Sequence, residues 1–206
     1  KTERGSAMEL VKELDPVFLE IAEQVLQESE RTFGKIDRSI LFPMADHIAF
    51  AVKRIQNKEQ ISNPLTGDIR ALFHMEYKTA ECIIPILEER LQVRIDEHEV
   101  GYIALHIHSA IEDENVALSM QIARTVRECI QLVEQETGAS IDVMSLSYNR
   151  LMNHVRYMAA RAMKGEKLKL DMNDYMSVKF PEEFRMASTI CSHLEKHMKK
   201  SLDPVE

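Results

Sequence analysis

Histidine is the one plentiful reactive side chain in this sequence, with eight in 206 residues. Near neutral pH an imidazole can carry a proton, ligate a metal or act as a nucleophile. His47 lies in Ala45-Asp46-His47-Ile48-Ala49-Phe50 and His154 in Met152-Asn153-His154-Val155-Arg156-Tyr157. Each is followed by an apolar residue, an aromatic at +3 and an arginine at +7, Arg54 and Arg161. Seven residues are two helical turns, so each arginine shares a helix face with its histidine. His106 and His108 lie in Ala104-Leu105-His106-Ile107-His108-Ser109. At i and i+2 on a helix they point about 200° apart, so they cannot jointly chelate a metal and only one can share a core-facing cleft. The other then reads as a polar residue near a helix C-terminus, where a cation is welcome.

Other chemistries lack their marks. There is no phosphate-cradling glycine loop, no Gly-x-Ser-x-Gly and no Cys-x-x-Cys. His193 and His197, at i and i+4, have a spacing that could hold zinc. No glutamate follows His193 as in His-Glu-x-x-His, however, so no metal or other cofactor is assigned. His74 and His98 flank helix starts and are expected at the surface. Cys82, Cys129 and Cys191 have no metal spacing and read as small core residues in a reducing compartment.

The elements that must position the histidines are written twice. Residues 47–99 laid over 154–206, with a constant offset of 107 and no gap, give eleven identities in 53 positions. Among them are His47/His154, Arg54/Arg161, Phe73/Phe180, Glu76/Glu183, Asp96/Asp203 and Glu99/Glu206. A period of about a hundred residues is a domain duplication, not a solenoid repeat. At that length each copy can bury a core of its own.

Few glycines and prolines, six of each, and abundant Leu, Met, Ala, Glu and Lys predict an all-α protein. In copy one, Asp15-Pro16 opens a helix that Gly34 stops. A second covers about Pro43 to Asn57. After Asn63-Pro64 comes a short one through Ile69 and Phe73, then a fourth over about Met75 to Gln92 with Pro85 as a kink. Asp96-Glu97-His98-Glu99 has the form of a capping box opening a fifth. Ser109 to Asn115 reads as an acidic connector. Copy two repeats the order as Leu118–Gln135, Leu146–Lys164, Met172–Lys179 and Glu182–Lys199. Asp203-Pro204-Val205-Glu206 then starts a fifth helix that has no body, so a fragment or a missing last helix is expected. Residues 1–9 read as a linker or tag remnant.

A net charge of −8 argues against direct nucleic-acid binding, which needs clustered Lys and Arg against phosphates. The short basic run Lys196, His197, Lys199, Lys200 suits a helix C-terminus. No signal peptide or apolar stretch of membrane-spanning length is visible, and the cytoplasm is the expected location.

Two helical copies, each with a histidine on its second helix, and the run Gly101-Tyr102-Ile103-Ala104-Leu105-His106-Ile107-His108-Ser109-Ala110 resemble the PTS regulation domains (PRDs) of the BglG/LicT/SacY family of transcriptional antiterminators. Asp46-His47-Ile48-Ala49-Phe50-Ala51-Val52-Lys53-Arg54 and the His106 run are most similar to the glucose-type antiterminators of Gram-positive bacteria. The resemblance covers about Leu10 to Glu206. It implies two tandem five-helix bundles, PRD1 over 10–111 and PRD2 over 112–206, the second lacking its fifth helix. It also implies a homodimer without enzymatic activity. Its histidines would be phosphorylated by HPr or a sugar-specific EIIB protein of the sugar phosphotransferase system. Carried over by position, the acceptors are His47, His106 and His154, and the fourth would lie just beyond Glu206. Arg54, Arg161, Asp46 and His108 are candidate supporting residues. RNA would be bound only through an N-terminal domain that does not appear in this sequence.

A neutral imidazole nitrogen can take a phosphoryl group from another phosphohistidine, and the product carries up to about two negative charges. In a cleft or dimer interface that charge repels an acidic neighbour or recruits an arginine. The same residues also allow other readings: a PRD region of a DNA-binding transcription activator, a helical metal-dependent enzyme, or a duplicated scaffold that only dimerises.

Overall fold

The computed structural model describes residues 14–59, 61–112, 115–142 and 145–205. The expected linker over residues 1–9 lies outside them, as does Glu206, the last residue of the helix start expected over Asp203-Pro204-Val205-Glu206. Among the described residues there is no strand, and no helix is long and apolar enough to cross a membrane. The chain divides into two compact units, Lys1–Ser119 and Met120–Glu206.

In the first unit α1 (Pro16–Phe33) starts where Asp15 caps it, its side chain accepting from the Val17 N–H at 3.0 Å. It buries Ile21, Ala22, Val25 and Leu26 at the helical spacing and ends at Gly34, whose φ of 81° a side chain would resist. A single 3-10 turn, Arg38–Ile40, leads into α2 (Leu41–Gln56), which buries Met44, Ala45, Ile48, Ala51 and Val52. α3 (Thr66–Leu72) and α4 (His74–Ala80) meet at Phe73, and α5 (Ile83–Leu91) follows. α6 (Glu97–Ile111) closes the unit by packing on α2, α3 and α4, while α1 packs on α2, α4 and α5. Each fully buried Ile or Leu in this core contributes about 1.5–3 kcal/mol.

The fourth helix expected over Met75 to Gln92 is two helices, broken at Glu81 and Cys82. Pro85 has no N–H to donate to the Glu81 carbonyl, and its ring crowds that carbonyl. The Glu81 oxygen accepts from the Ile84 N–H instead, at 3.1 Å, so the chain turns one helical turn before the proline and not at it. The second copy supplies the control. Ser192 stands at the position of Pro85, and α10 (Pro181–Met198) runs unbroken. Nor is Ser109 to Asn115 wholly a connector: α6 continues to Ile111, and the Asn115 side chain already accepts from the Leu118 N–H.

α7 (Val116–Thr137) leads into the second unit, which adds α8 (Leu146–Lys164) and α9 (Asn173–Lys179) to α10. Ile122, Val126, Met152, Val155, Ile190 and Leu194 are buried there. The repeat also brings out a difference. Leu65, Ile69 and Phe73 are at most 4% exposed beneath α6, whereas Met172, Met176 and Phe180, at the same register, are 38–48% exposed. Asp203 nonetheless accepts from the Val205 N–H, the bond by which Asp96 accepts from the His98 N–H at the start of α6.

Gly101 sits inside α6, where a Cβ would lie no closer than 3.9 Å to Ile69 and Tyr77. Gly101→Ala is therefore expected to stabilise the first unit by about 0.5–1 kcal/mol through helix propensity. A thermal melt of the variant would show a raised Tm; a lowered one would mean that α3 and α4 cannot admit a methyl group.

Candidate functional site

The site of the first unit is built on a buried carboxylate. Glu99, in the first turn of α6, is 2% exposed. Its Oε2 faces His47 Nε2 at 3.1 Å, and its Oε1 accepts from Arg54 Nη2 at 2.7 Å and Nε at 3.1 Å. Removing a carboxylate from water costs several kcal/mol unless charged donors replace the solvent. Burial pushes the Glu99 carboxyl up, but the hydrogen bonds from His47 and Arg54 outweigh it and hold the group below its ordinary value. Glu99 is thus ionised at neutral pH. An ionised carboxylate can only accept, so the His47 Nε2 facing it carries a hydrogen.

Both helices present an i, i+7 pair to this face. α2 presents His47 and Arg54; α6 presents Glu99 and His106, with Tyr102 between. The His47 ring lies 5.4 Å from Tyr102 and 5.5 Å from His106, centroid to centroid. The register sets Arg54 against Glu99 and His47 against His106, so the two helices run in opposite senses here. His106 is half-buried, and its pKa is pushed down to about 4, first by burial and then by His47. It is a neutral imidazole at pH 7, with a lone pair to offer.

A cleft of about 820 Å³ opens beside His106, between the Asp37–Pro43 segment and the end of α6 with the start of α7. The Asp37 N–H donates to the Ala110 carbonyl at 2.8 Å and ties the two walls together. His47 retains 20% exposure of its side chain. Asp46, half-buried, precedes it on α2, but the carboxylate on the ring is Glu99.

The i, i+2 argument separates His106 from His108. The latter is 2% exposed on the opposite side of α6, where Nδ1 meets Glu76 Oε1 at 2.9 Å and the ring packs on Phe73 at 4.3 Å. His108 belongs to the joint between α4 and α6 and not to the cleft, and it is buried and not exposed at a helix end. His98, expected at the surface, is half-buried with Nδ1 2.7 Å from Thr66 Oγ1; His74 is exposed.

In the second unit His154 is exposed on α8, at the rim of an apolar groove of about 220 Å³ lined by Val155, Met158, Met186 and Ile190. Arg161 is half-buried two turns further along α8. His193 and His197 stack at 4.5 Å, and His197 Nδ1 lies 3.3 Å from Glu128. Among the described residues no three His, Cys, Asp or Glu are grouped to hold a metal ion. Cys129 is buried, which pushes its thiol up to about 12, and burial likewise pushes Cys82 up to about 11.

Reasoning from the sequence did not single out Glu99 as a site residue, because the capping-box pattern accounts for it locally. In the structure Asp96 makes its half of that pattern, accepting from the His98 and Glu99 N–H groups, while the Glu99 side chain turns inward. Two signals pointed at it: the Glu99/Glu206 identity and its place two turns before His106.

The PRD domain family matches residues 19–110 and again 127–206. Protein GlcT of Staphylococcus haemolyticus is 28% identical over 213 residues, which take in 100% of this chain and 75% of that protein. Protein GlcT of Staphylococcus saprophyticus is 30% identical over 168 residues, 80% of this chain and 60% of that one. The GlcA/glcB genes antiterminator of Staphylococcus carnosus is 26% identical over 179 residues, 86% and 62% respectively. The crystal structure of GlcT CAT-PRDI is similar with a TM-score of 0.50 and 31% identity, over 54% of this chain and 68% of that one. The chain thus spans 60% to 75% of the length of these three named relatives.

His106 makes the site sensitive to acid. With its folded pKa depressed below the unfolded value, the unfolded chain binds more protons between about pH 6.5 and pH 4, so stability is lost as pH falls through that window. At pH 5 the loss due to this residue is on the order of 1–2 kcal/mol. Urea unfolding at pH 7 and pH 5 should show a larger drop for the wild type than for His106→Gln; equal drops would mean His106 is not desolvated.

Proposed function

The chain belongs to the PRD domain family, and from that premise we propose that it is the regulatory region of a transcriptional antiterminator, controlled by phosphorylation of its histidines. PRD1 occupies 10–111 and PRD2 112–206. His47 and His106 accept phosphoryl groups in the first and His154 in the second, with HPr and a sugar-specific EIIB as donors. The protein acts in the cytoplasm as a homodimer, binds RNA only through a separate N-terminal domain, and is a regulator and not an enzyme. The names of its relatives, among them the GlcA/glcB genes antiterminator, support this reading.

The observation that carries it is the meeting of two imidazoles 5.5 Å apart, one of which, His106, lines a cleft and is neutral by desolvation. A phosphoryl group on either ring brings up to about two negative charges beside Glu99. It repels that carboxylate and competes with it for Arg54. The α2–α6 contact is thereby loosened or re-formed around phosphate, which is a local event that can alter how two subunits pack. Phe50 and Tyr157, both more than half exposed at equivalent positions just beyond His47 and His154, support a subunit interface on this face of each copy.

Incubation with phosphoenolpyruvate, enzyme I and HPr, with or without the cognate EIIB, is expected to introduce acid-labile phosphate. Label should fall in His47→Ala, His106→Ala or His154→Ala. A chain that takes no label under any donor combination would overturn the reading.

A further inference from the structure

We infer that Glu99 is a positioning residue that dictates which nitrogen of His47 reacts: it holds the Nε2–H, and Nδ1 is the atom that receives the phosphoryl group. The inference rests on the acceptor reading of His47 and goes beyond it in naming the atom and the residue that selects it.

Four observations converge. Nε2 is committed to Glu99 Oε2 at 3.1 Å, and no other group among the described residues is hydrogen-bonded to the ring. Glu99 is itself locked, because Arg54 donates twice to its other oxygen and the carboxylate is out of reach of water. It can neither rotate away nor release the ring without stranding a buried charge. Arg54 holds Glu99, Glu99 holds His47, and each link narrows the orientation of the next. Finally, all three residues recur at one register of the duplication, as His154, Arg161 and Glu206.

The chemistry balances without an added reagent. The Nδ1 lone pair attacks the phosphorus of the donor phosphohistidine; the new N–P bond forms as the donor's P–N bond breaks, and that electron pair returns to the donor ring. No proton leaves His47. The ring, now substituted at Nδ1 and still bearing its Nε2–H, gains imidazolium character, and the facing carboxylate stabilises it as it develops. The reverse transfer uses the same contacts. Glu99 touches neither donor nor phosphorus, so its effect passes through the imidazole.

Three measurements on the full chain test this. Long-range 1H–15N correlation of histidine-labelled, unphosphorylated protein should report the Nε2–H form of His47, and Glu99→Gln should shift its tautomer balance. A dominant Nδ1–H form in the wild type would overturn the inference without any donor being present. After phosphorylation in a His106→Ala, His154→Ala background, 15N shifts should identify Nδ1-phosphohistidine at His47; Nε2-phosphohistidine would overturn the inference and leave the acceptor reading intact. In a chain that retains all its histidines, Glu99→Gln should slow labelling of His47 by about tenfold or more while His154 labels at its former rate. Equal slowing at both would mean a general loss of structure, and an unchanged rate at His47 would remove the role of Glu99. Absence of label at every histidine would remove the acceptor reading and this inference with it.

Discussion

A single carboxylate, taken almost wholly out of water, organises the first unit. Glu99 is tolerable there only because Arg54 and His47 replace the solvent it has lost. Those partners come from α2, so the charge fastens two helices whose apolar faces would otherwise fix only their approach and not their register. A slip by one turn would leave an ion buried and unpaired. The reactive histidine is thus part of the bolt that holds α2 to α6, and any chemistry on its ring acts on the joint itself.

That arrangement explains how one small group could control a bundle. Apolar contacts are numerous and indifferent to charge, whereas the polar contacts described across this face share one carboxylate, Glu99. His106 adds to the tension. It is neutral because burial and the neighbouring His47 both oppose its protonation, so it has no charge of its own with which to compensate an incoming phosphate.

Much of the fold was legible from short-range patterns. Asp15-Pro16 and Gly34 bound α1 as expected, and α8 covers Leu146–Lys164 as the repeat predicts. These features depend on backbone groups within a few residues of one another. The break before Pro85 was visible as a proline but misplaced by a turn, since the carbonyl that loses its helical partner lies four residues back on Glu81 and takes the Ile84 N–H instead. The repeat located His47 and His154 and placed Arg54 on the right face. His108 was weighed as a helix-end residue because position in a helix says nothing about what lies across from it; Phe73 and Glu76 had to be folded alongside before its burial was apparent.

From the sequence alone came the duplication, the helical class and the matching of His, Arg and Glu at one register, because these are properties of order along the chain. Packing alone decided which oxygen faces which nitrogen. Glu99 had two possible partners, its own helix N-terminus and the residues of α2, and both satisfy a carboxylate. The choice fell to α2 because Asp96 already caps the backbone, and because Arg54 and His47, each mostly withdrawn from water, supply the charged donors that the buried carboxylate needs.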